Sequence, residues 1–112
     1  MHIRTGFSIA FDTVGPTPMN LLLNVRPERR TDLVTPETIT FDPPIPARQH
    51  VDAFGNVCTR IVAPGGRITM AADFTIADSG LPDDQAPGAR QPSVQDLPDD
   101  VLMYLLGSRY CD

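Results

Sequence analysis

The sequence predicts an all-β protein: an antiparallel, immunoglobulin-like β-sandwich of about seven strands with a short C-terminal helix. Apolar and polar residues alternate in several short segments, which is typical of strands with one buried face. Clusters of proline, glycine and asparagine separate these segments, as expected for turns. The chain has 112 residues. That length is sufficient for one domain with its own core.

The first half of the chain contains three predicted strands. In the first, alternate residues from Ile3 to Phe11 lie on one side of the strand and are apolar except for Thr5. Turn-forming residues follow, and the alternation resumes at Leu21 until Pro27 ends it, because proline cannot donate to a sheet. A polar, solvated connection then leads to a third strand. The three predicted strands span residues 3–11, 21–25 and 38–42.

A β-hairpin is predicted over residues 45–62. Its centre contains Gly55 and Asn56, two residue types that tolerate the positive φ of a tight turn. The most regular alternation in the chain follows over residues 67–77. Short turns join antiparallel neighbours, so residues 45–77 are expected to form a three-stranded meander.

The composition changes after residue 78. Residues 79–96 are rich in Gly, Pro, Asp, Gln, Ala and Ser, which predicts a loop or linker. Residues 97–112 predict a short apolar helix that begins near Pro98 and is capped by Gly107. Because this helix is apolar nearly all round, we expect it to pack against the strands or against a further segment. Residues 1–78 are then the β-sandwich domain.

The charge balance excludes several functions. Fourteen acidic and nine basic residues give a net charge of −5, and all nine basic residues are arginine. Lysine-dependent catalysis is therefore excluded, and binding to a phosphate backbone is disfavoured. The sequence has no long apolar run and no secretory signal pattern, so we expect a cytoplasmic protein without membrane or nucleic-acid partners.

Few residues suggest chemistry. Cys58 and His50 lie on the two arms of the predicted hairpin, at similar distances from its turn, so they are plausible cross-strand neighbours. No third group is placed to orient the imidazole, and ordinary strand residues are the favoured interpretation. The acidic pairs at 83–84 and 99–100 indicate a solvated loop and a helix start. No catalytic, cofactor or metal site is predicted, nor a disulfide from Cys58 to Cys111.

Two segments resemble a known family. They are Val-Asp-Ala-Phe-Gly-Asn-Val at residues 51–57 and the stretch from Leu97 to the end, which includes Ser-Arg-Tyr-Cys. Both resemble the N-terminal region of bacterial transglutaminase-like proteins described as cysteine proteases. In that family a D-x-F-G-N hairpin lies within a β-sandwich, and a P-x-x-x-x-Y-L-x-x-S-R-Y-C motif leads into the catalytic domain. The matching positions are Asp52, Phe54, Gly55, Asn56, Tyr104, Leu105, Ser108, Arg109, Tyr110 and Cys111.

The resemblance implies an accessory rather than a catalytic role. The family's papain-like Cys-His-Asp triad lies downstream of the Ser-Arg-Tyr-Cys motif, so no triad residue maps here, and Cys111 matches a cysteine that is not the nucleophile. The chain is thus expected to be the front of a longer amide hydrolase or acyltransferase, packing on its catalytic domain. Phe7 and Phe11 stand where the family usually has tyrosines, and Met19 to Leu23 replace a basic stretch, which affects the subgroup.

Two alternatives remain open. A free-standing β-sandwich could use an exposed sheet edge to bind a peptide or a second copy of itself, although Pro27, Pro36 and Pro43 near strand ends would block some edges. A homodimer is the form of this alternative that involves no other protein. A small cysteine enzyme built on Cys58 and His50 is the other.

Overall fold

The computed structural model describes residues 1–108 and contains two three-stranded antiparallel sheets. The six strands are β1 (His2–Thr13), β2 (Thr17–Leu21), β3 (Thr40–Asp42), β4 (Arg48–Val51), β5 (Val57–Ala63) and β6 (Gly66–Ala77). Three 3₁₀ helices are η1 (Pro27–Asp32), η2 (Val94–Asp96) and η3 (Asp99–Leu105). The strand order is β1-β6-β3 in the first sheet and β2-β5-β4 in the second.

The chain divides into two compact units. The first is Met1–Gly80, and the second begins at Leu81. All six described strands and η1 belong to the first unit, whereas η2 and η3 belong to the second. The sheets and their core are therefore a property of the first unit.

Both sheets contribute to one apolar core. Ile61 and Ala63 of β5 are buried beside Ile68 and Met70 of β6, and the last two side chains are fully inaccessible to solvent. The all-β prediction is therefore confirmed, with two antiparallel sheets sharing the core. Partly buried side chains surround the cluster, namely Phe7, Ile9, Met19, Leu21, Leu23, Ile39, Phe41 and Ile45.

The predicted first strand, hairpin and last strand are confirmed, with ends that shift by a few residues. β1 and β6 pair along their full length, from His2 opposite Ala77 to Thr13 opposite Gly66. The hairpin consists of β4 and β5. The third predicted strand is the short β3, after which the Asp42–Pro43 peptide bond is cis.

The position of the second strand was predicted wrongly. β2 occupies residues 17–21, which include Pro18, instead of residues 21–25. β2 lies at an edge of its sheet and pairs only with β5, and an edge strand can accommodate a proline. Leu21 and Leu23 nevertheless pack against the core. The apolar alternation over residues 21–25 therefore reflects burial of these side chains rather than the position of a strand.

The predicted meander is also wrong. β5 and β6 are consecutive along the chain but lie in different sheets, and the turn between them carries the chain from one sheet to the other. The hydroxyl of Thr13, at the end of β1, donates to the carbonyl oxygen of Pro64 in this turn. β6 has 12 residues and pairs with β1 over all of them, whereas β5 has only seven residues to offer. β6 thus pairs with β1 on one side and with β3 on the other, instead of with β5.

The predicted C-terminal helix takes the form of η3. Pro98 precedes it, and Asp99 and Asp100 lie in its first turn, but the helix ends at Leu106 in extended conformation and Gly107 does not cap it. Met103 to Leu106 are all more than half exposed, and the packing of this helix against a further segment stays a prediction, because such a segment would lie outside the described residues. A 3₁₀ helix has about three residues per turn, so consecutive apolar residues point in all directions.

Candidate functional site

The tip of the β4–β5 hairpin is organised by the carboxylate of Asp52. Its Oδ1 accepts hydrogen bonds from the backbone N–H groups of Phe54 and Asn56, both at 2.9 Å. Its Oδ2 accepts one from the side-chain amide of Asn56 at 3.3 Å. The backbone closes the turn as well, because the N–H of Asp52 donates to the carbonyl oxygen of Asn56 at 3.0 Å. Asp52 thus accepts hydrogen bonds from N–H groups of the turn that have no backbone acceptor.

Arg26 holds the same turn from outside. One of its terminal nitrogens donates to Oδ1 of Asn56 at 2.7 Å, and the other donates to the carbonyl oxygen of Phe54 at 3.1 Å. Its Nε also pairs with Glu28 at 3.2 Å. Gly55 has a φ of +80°, and a Cβ at this position would lie 2.9 Å from a terminal nitrogen of Arg26. Only glycine meets both the backbone and the space requirement.

The hydrogen bonds at the tip favour the ionised form of Asp52. The backbone N–H of Asn56 lowers the pKa of Asp52 most, and smaller contributions come from the N–H of Phe54, the amide of Asn56 and the thiol of Cys58. The partial burial of the carboxyl group opposes this shift. Both carboxylate oxygens of Asp52 thus accept hydrogen bonds from the turn itself, which indicates that this group stabilises the structure and does not bind a ligand.

Cys58 and His50 are opposite one another in the β4–β5 register, as the hairpin predicts. Cys58 is only 1% exposed, and its thiol lies 3.8 Å from Oδ2 of Asp52 and 4.0 Å from the carbonyl oxygen of Asn56. His50 is exposed, and within the described part of the chain no hydrogen bond joins its ring to the thiol. The thiol proton is directed at the turn, and a substrate cannot reach the sulfur.

The remaining motif positions lie elsewhere. Phe54 is 53% exposed at the hairpin tip. Tyr104 and Leu105 are exposed in η3, and Ser108 follows that helix. The two motif segments thus belong to different compact units. The positions that lie outside the described residues are Arg109, Tyr110 and Cys111.

A second candidate site lies on the outer face of the second sheet. Arg48 of β4 and Arg60 of β5 are directly opposite each other, and both are exposed. Two positions further along β5, on the same face, Val62 is 57% exposed and lies opposite Pro18 of β2. Together with Pro46, these residues line an open groove of about 430 Å³. We refer to this surface as the arginine groove.

The charged residues of the arginine groove are all positive, and most of its lining is apolar. Like charges directly opposite each other on two strands are destabilising. Neither Arg48 nor Arg60 forms an ion pair with a carboxylate in the described range 1–108, although the chain has a net charge of −5. A bound carboxylate would relieve the repulsion, because a guanidinium group donates to a carboxylate in a planar, two-pronged arrangement.

Sequence reasoning missed both Arg26 and the arginine groove. Arg26 lies some thirty positions before the turn it contacts, and no local pattern signals such a contact. For the arginine groove, the sequence does contain a signal. The register that places His50 opposite Cys58 also places Arg48 opposite Arg60, so the paired arginines follow from the hairpin.

Comparison with protein-family models, with curated proteins and with solved structures finds no match for this chain. Within residues 1–108, no three His, Cys, Asp or Glu side chains are grouped so that they could hold a metal ion. In the same residues, no helix has the length and apolar character needed to cross a membrane. The arginine groove and the Asp52 turn are therefore the features on which a function can be argued.

Proposed function

We propose that the chain is a non-catalytic, cytoplasmic, immunoglobulin-like β-sandwich that precedes a papain-like catalytic domain in a transglutaminase-like cysteine protease. In this role it packs on the catalytic domain of the same polypeptide and uses no cofactor. The reaction of the parent protein is hydrolysis or transfer at an amide bond. The arginine groove is the surface through which the packing takes place.

The observation that carries the proposal is the unpaired Arg48–Arg60 pair on a partly apolar face. The repulsion between the two guanidinium groups costs stability in the isolated domain, and a carboxylate-bearing surface would offset that cost. Val62 and Pro18 add apolar area beside the charges. A polar and apolar mixture of this kind is common at contacts between domains of one chain.

The Asp52 turn supports a scaffolding role for the motif that resembles the family. The residue types of this motif are accounted for by the turn itself, because Asp52 accepts the local donors and Gly55 supplies the positive φ. Cys58 lies beneath this turn with its thiol inaccessible. These groups hold the hairpin, and so they support a domain that presents a surface rather than one that performs chemistry.

The first test is to read the gene beyond the codon for Asp112. We expect the reading frame to continue and to encode a cysteine, then a histidine, then an aspartate within one further domain. A stop codon directly after Asp112, or a following domain without such residues, would contradict the proposal.

The second test measures docking. Residues 1–112 and the following domain are expressed separately, mixed, and studied by isothermal titration calorimetry. The double variant Arg48→Glu/Arg60→Glu is expected to weaken binding at least about tenfold, because it replaces attraction by repulsion. The matched control, Arg67→Glu/Arg90→Glu, makes the same change in charge at two residues that do not line the groove and should bind as the unmodified chain does. Equal weakening by both variants would show that net charge, not the groove, governs the contact.

A further inference from the structure

Among the described strands, β1 forms the longest sheet edge. It has 12 residues, contains no proline, and in the described part of the chain it pairs with β6 alone. The other edge strands are poorer templates, since β2 contains Pro18, β3 has three residues and β4 has four. Long, regular edges with unpaired backbone groups are the sites at which further strands add.

The backbone groups that face the open side of β1 can be identified. Met1 and Asp78 exchange two backbone hydrogen bonds, N to O at 2.9 Å and O to N at 2.8 Å. Hydrogen-bonded and non-hydrogen-bonded pairs alternate along an antiparallel ladder, so the odd-numbered residues of β1 direct their N–H and C=O groups at β6. The residues whose backbone groups face the open side are His2, Arg4, Gly6, Ser8, Ala10 and Asp12.

The open edge is complementary to itself. If two copies of β1 lie antiparallel with Ser8 on the twofold axis, Gly6 faces Ala10 and Arg4 faces Asp12 of the other copy. Every one of these positions has its backbone groups on the open side, as a hydrogen-bonded ladder requires. The two charged pairs close the ladder at its ends. Centring the ladder on Phe7 instead would place Arg4 opposite Ala10, so the charges select the register.

The side chains support the same pairing. Asp12 forms no ion pair within residues 1–108, and the side chain of Arg4 is 78% exposed although it binds Asp73. On the core-facing side of β1, Ile3 is 40% exposed and Phe11 is 46% exposed. In the Ser8-centred register a second strand would cover both, because Phe11 then lies opposite Thr5 and Ile3 opposite Thr13 of the other copy.

We propose that this surface binds a second copy of the chain, through antiparallel pairing of β1 with β1 about an axis at Ser8. The two three-stranded sheets then form one continuous six-stranded sheet across the dimer. Such a contact uses the same patch on both copies, as a twofold dimer requires. This inference does not depend on the arginine groove, which lies on the other sheet.

The test is sedimentation equilibrium of the full chain and two charge-reversed variants. We expect the unmodified protein to sediment as a species of twice 12.2 kDa. Asp12→Arg places two arginines opposite each other and should weaken dimerisation at least about tenfold. Arg4→Asp/Asp73→Arg should weaken it similarly, since it keeps the ion pair within the protomer but presents an acidic group to Asp12.

Mixing the two variants gives the decisive result. In the mixed pair both end contacts are again between opposite charges, so a one-to-one heterodimer should form more tightly than the homodimer of either variant. Asp83→Arg, which makes the same charge change as Asp12→Arg far from β1 in sequence, should remain dimeric. Circular dichroism checks that each variant is folded.

A backbone variant provides an independent measurement. Ser8→Pro removes an N–H that faces the open side and leaves the ladder with β6 its own donors, so it should give a folded monomer. A monomeric unmodified chain, a dimer that survives Asp12→Arg and Ser8→Pro, or a mixture that stays monomeric would each overturn the proposal. Dimerisation that responds to Arg48→Glu/Arg60→Glu instead of these changes would also overturn it.

Discussion

The carboxylate of Asp52 accepts hydrogen bonds from the backbone N–H groups of residues 54 and 56, and it also accepts one from the thiol of Cys58. Arg26 reaches the same turn from a distant part of the chain and binds the partners of Asp52 rather than Asp52 itself. A single short side chain therefore determines the conformation of the hairpin tip. The arrangement makes the stability of the tip depend on whether that carboxyl group is ionised.

Asp52→Asn should reduce the free energy of unfolding near neutral pH, with a loss that fades in acid. Because the folded-state pKa of Asp52 is lowered, its ionised form stabilises the fold above the unfolded-state pKa of about 3.9, and this contribution disappears as the pH falls through the folded-state pKa. Urea unfolding at neutral pH and at about pH 3 measures the difference. Asp83→Asn is the control, and a deficit that stays constant with pH would contradict the assignment.

At the scale of elements, the β4–β5 hairpin is the part of the molecule where local pattern and structure agree best. Its turn requires a positive φ at Gly55, its strands carry the paired arginines, and its inner face supplies Ile61 and Ala63 to the core. The hairpin thus connects the Asp52 turn to the arginine groove. A substitution in the Asp52 turn is therefore expected to affect both β4 and β5.

Gly55→Ala should destabilise the fold by about 1–2 kcal/mol, because a Cβ is unfavourable at positive φ. The new methyl group would also press on Arg26, which contacts the turn. Chemical denaturation measures the change. Gly15→Ala is a suitable control, since nothing lies within 4 Å of the added Cβ, and it should change stability by less than about 0.5 kcal/mol. Equal stability of the two variants would contradict the argument.

The elements that could be predicted are those defined by local pattern. Alternation identifies β1 and β6, and turn chemistry identifies the hairpin, because both signals lie within a few residues of each other. β2 was misplaced because the apolar residues at 21–25 pack against the core without pairing in a sheet. The partners of β6 could not be predicted either, since β1 and β3 lie far from it in the chain and no local pattern specifies which strands become neighbours.

At the scale of the whole molecule, two sheets share a core that lies within the first compact unit. This explains why part of the candidate site could be derived and part could not. The paired arginines follow from hairpin register, whereas the groove also needs Pro18 from β2, whose position depends on how the second sheet assembles. The contact of Arg26 with the turn has the same origin in tertiary structure.

A fragment of residues 1–80 should fold alone. It contains all six described strands and every buried apolar residue of the core cluster. We expect cooperative thermal unfolding with a midpoint within about 5 °C of the full chain, because about 1 kcal/mol shifts the midpoint of a domain this size by 4–8 °C. Circular dichroism and differential scanning calorimetry measure it. A fragment of residues 1–65, which lacks β6, is the control and should not unfold cooperatively.

The ladder between β1 and β6 also has a consequence for synthesis of the protein. It joins His2 to Ala77, so the first of the six described strands to be synthesised pairs with the last of them. At a translation rate of about 5–20 residues per second, roughly 4–15 s separate the synthesis of His2 from that of Ala77. Until residue 66 has emerged, β1 lacks its partner β6 in its own nascent chain, and the ladder between the two strands is complete only after residue 77 has emerged.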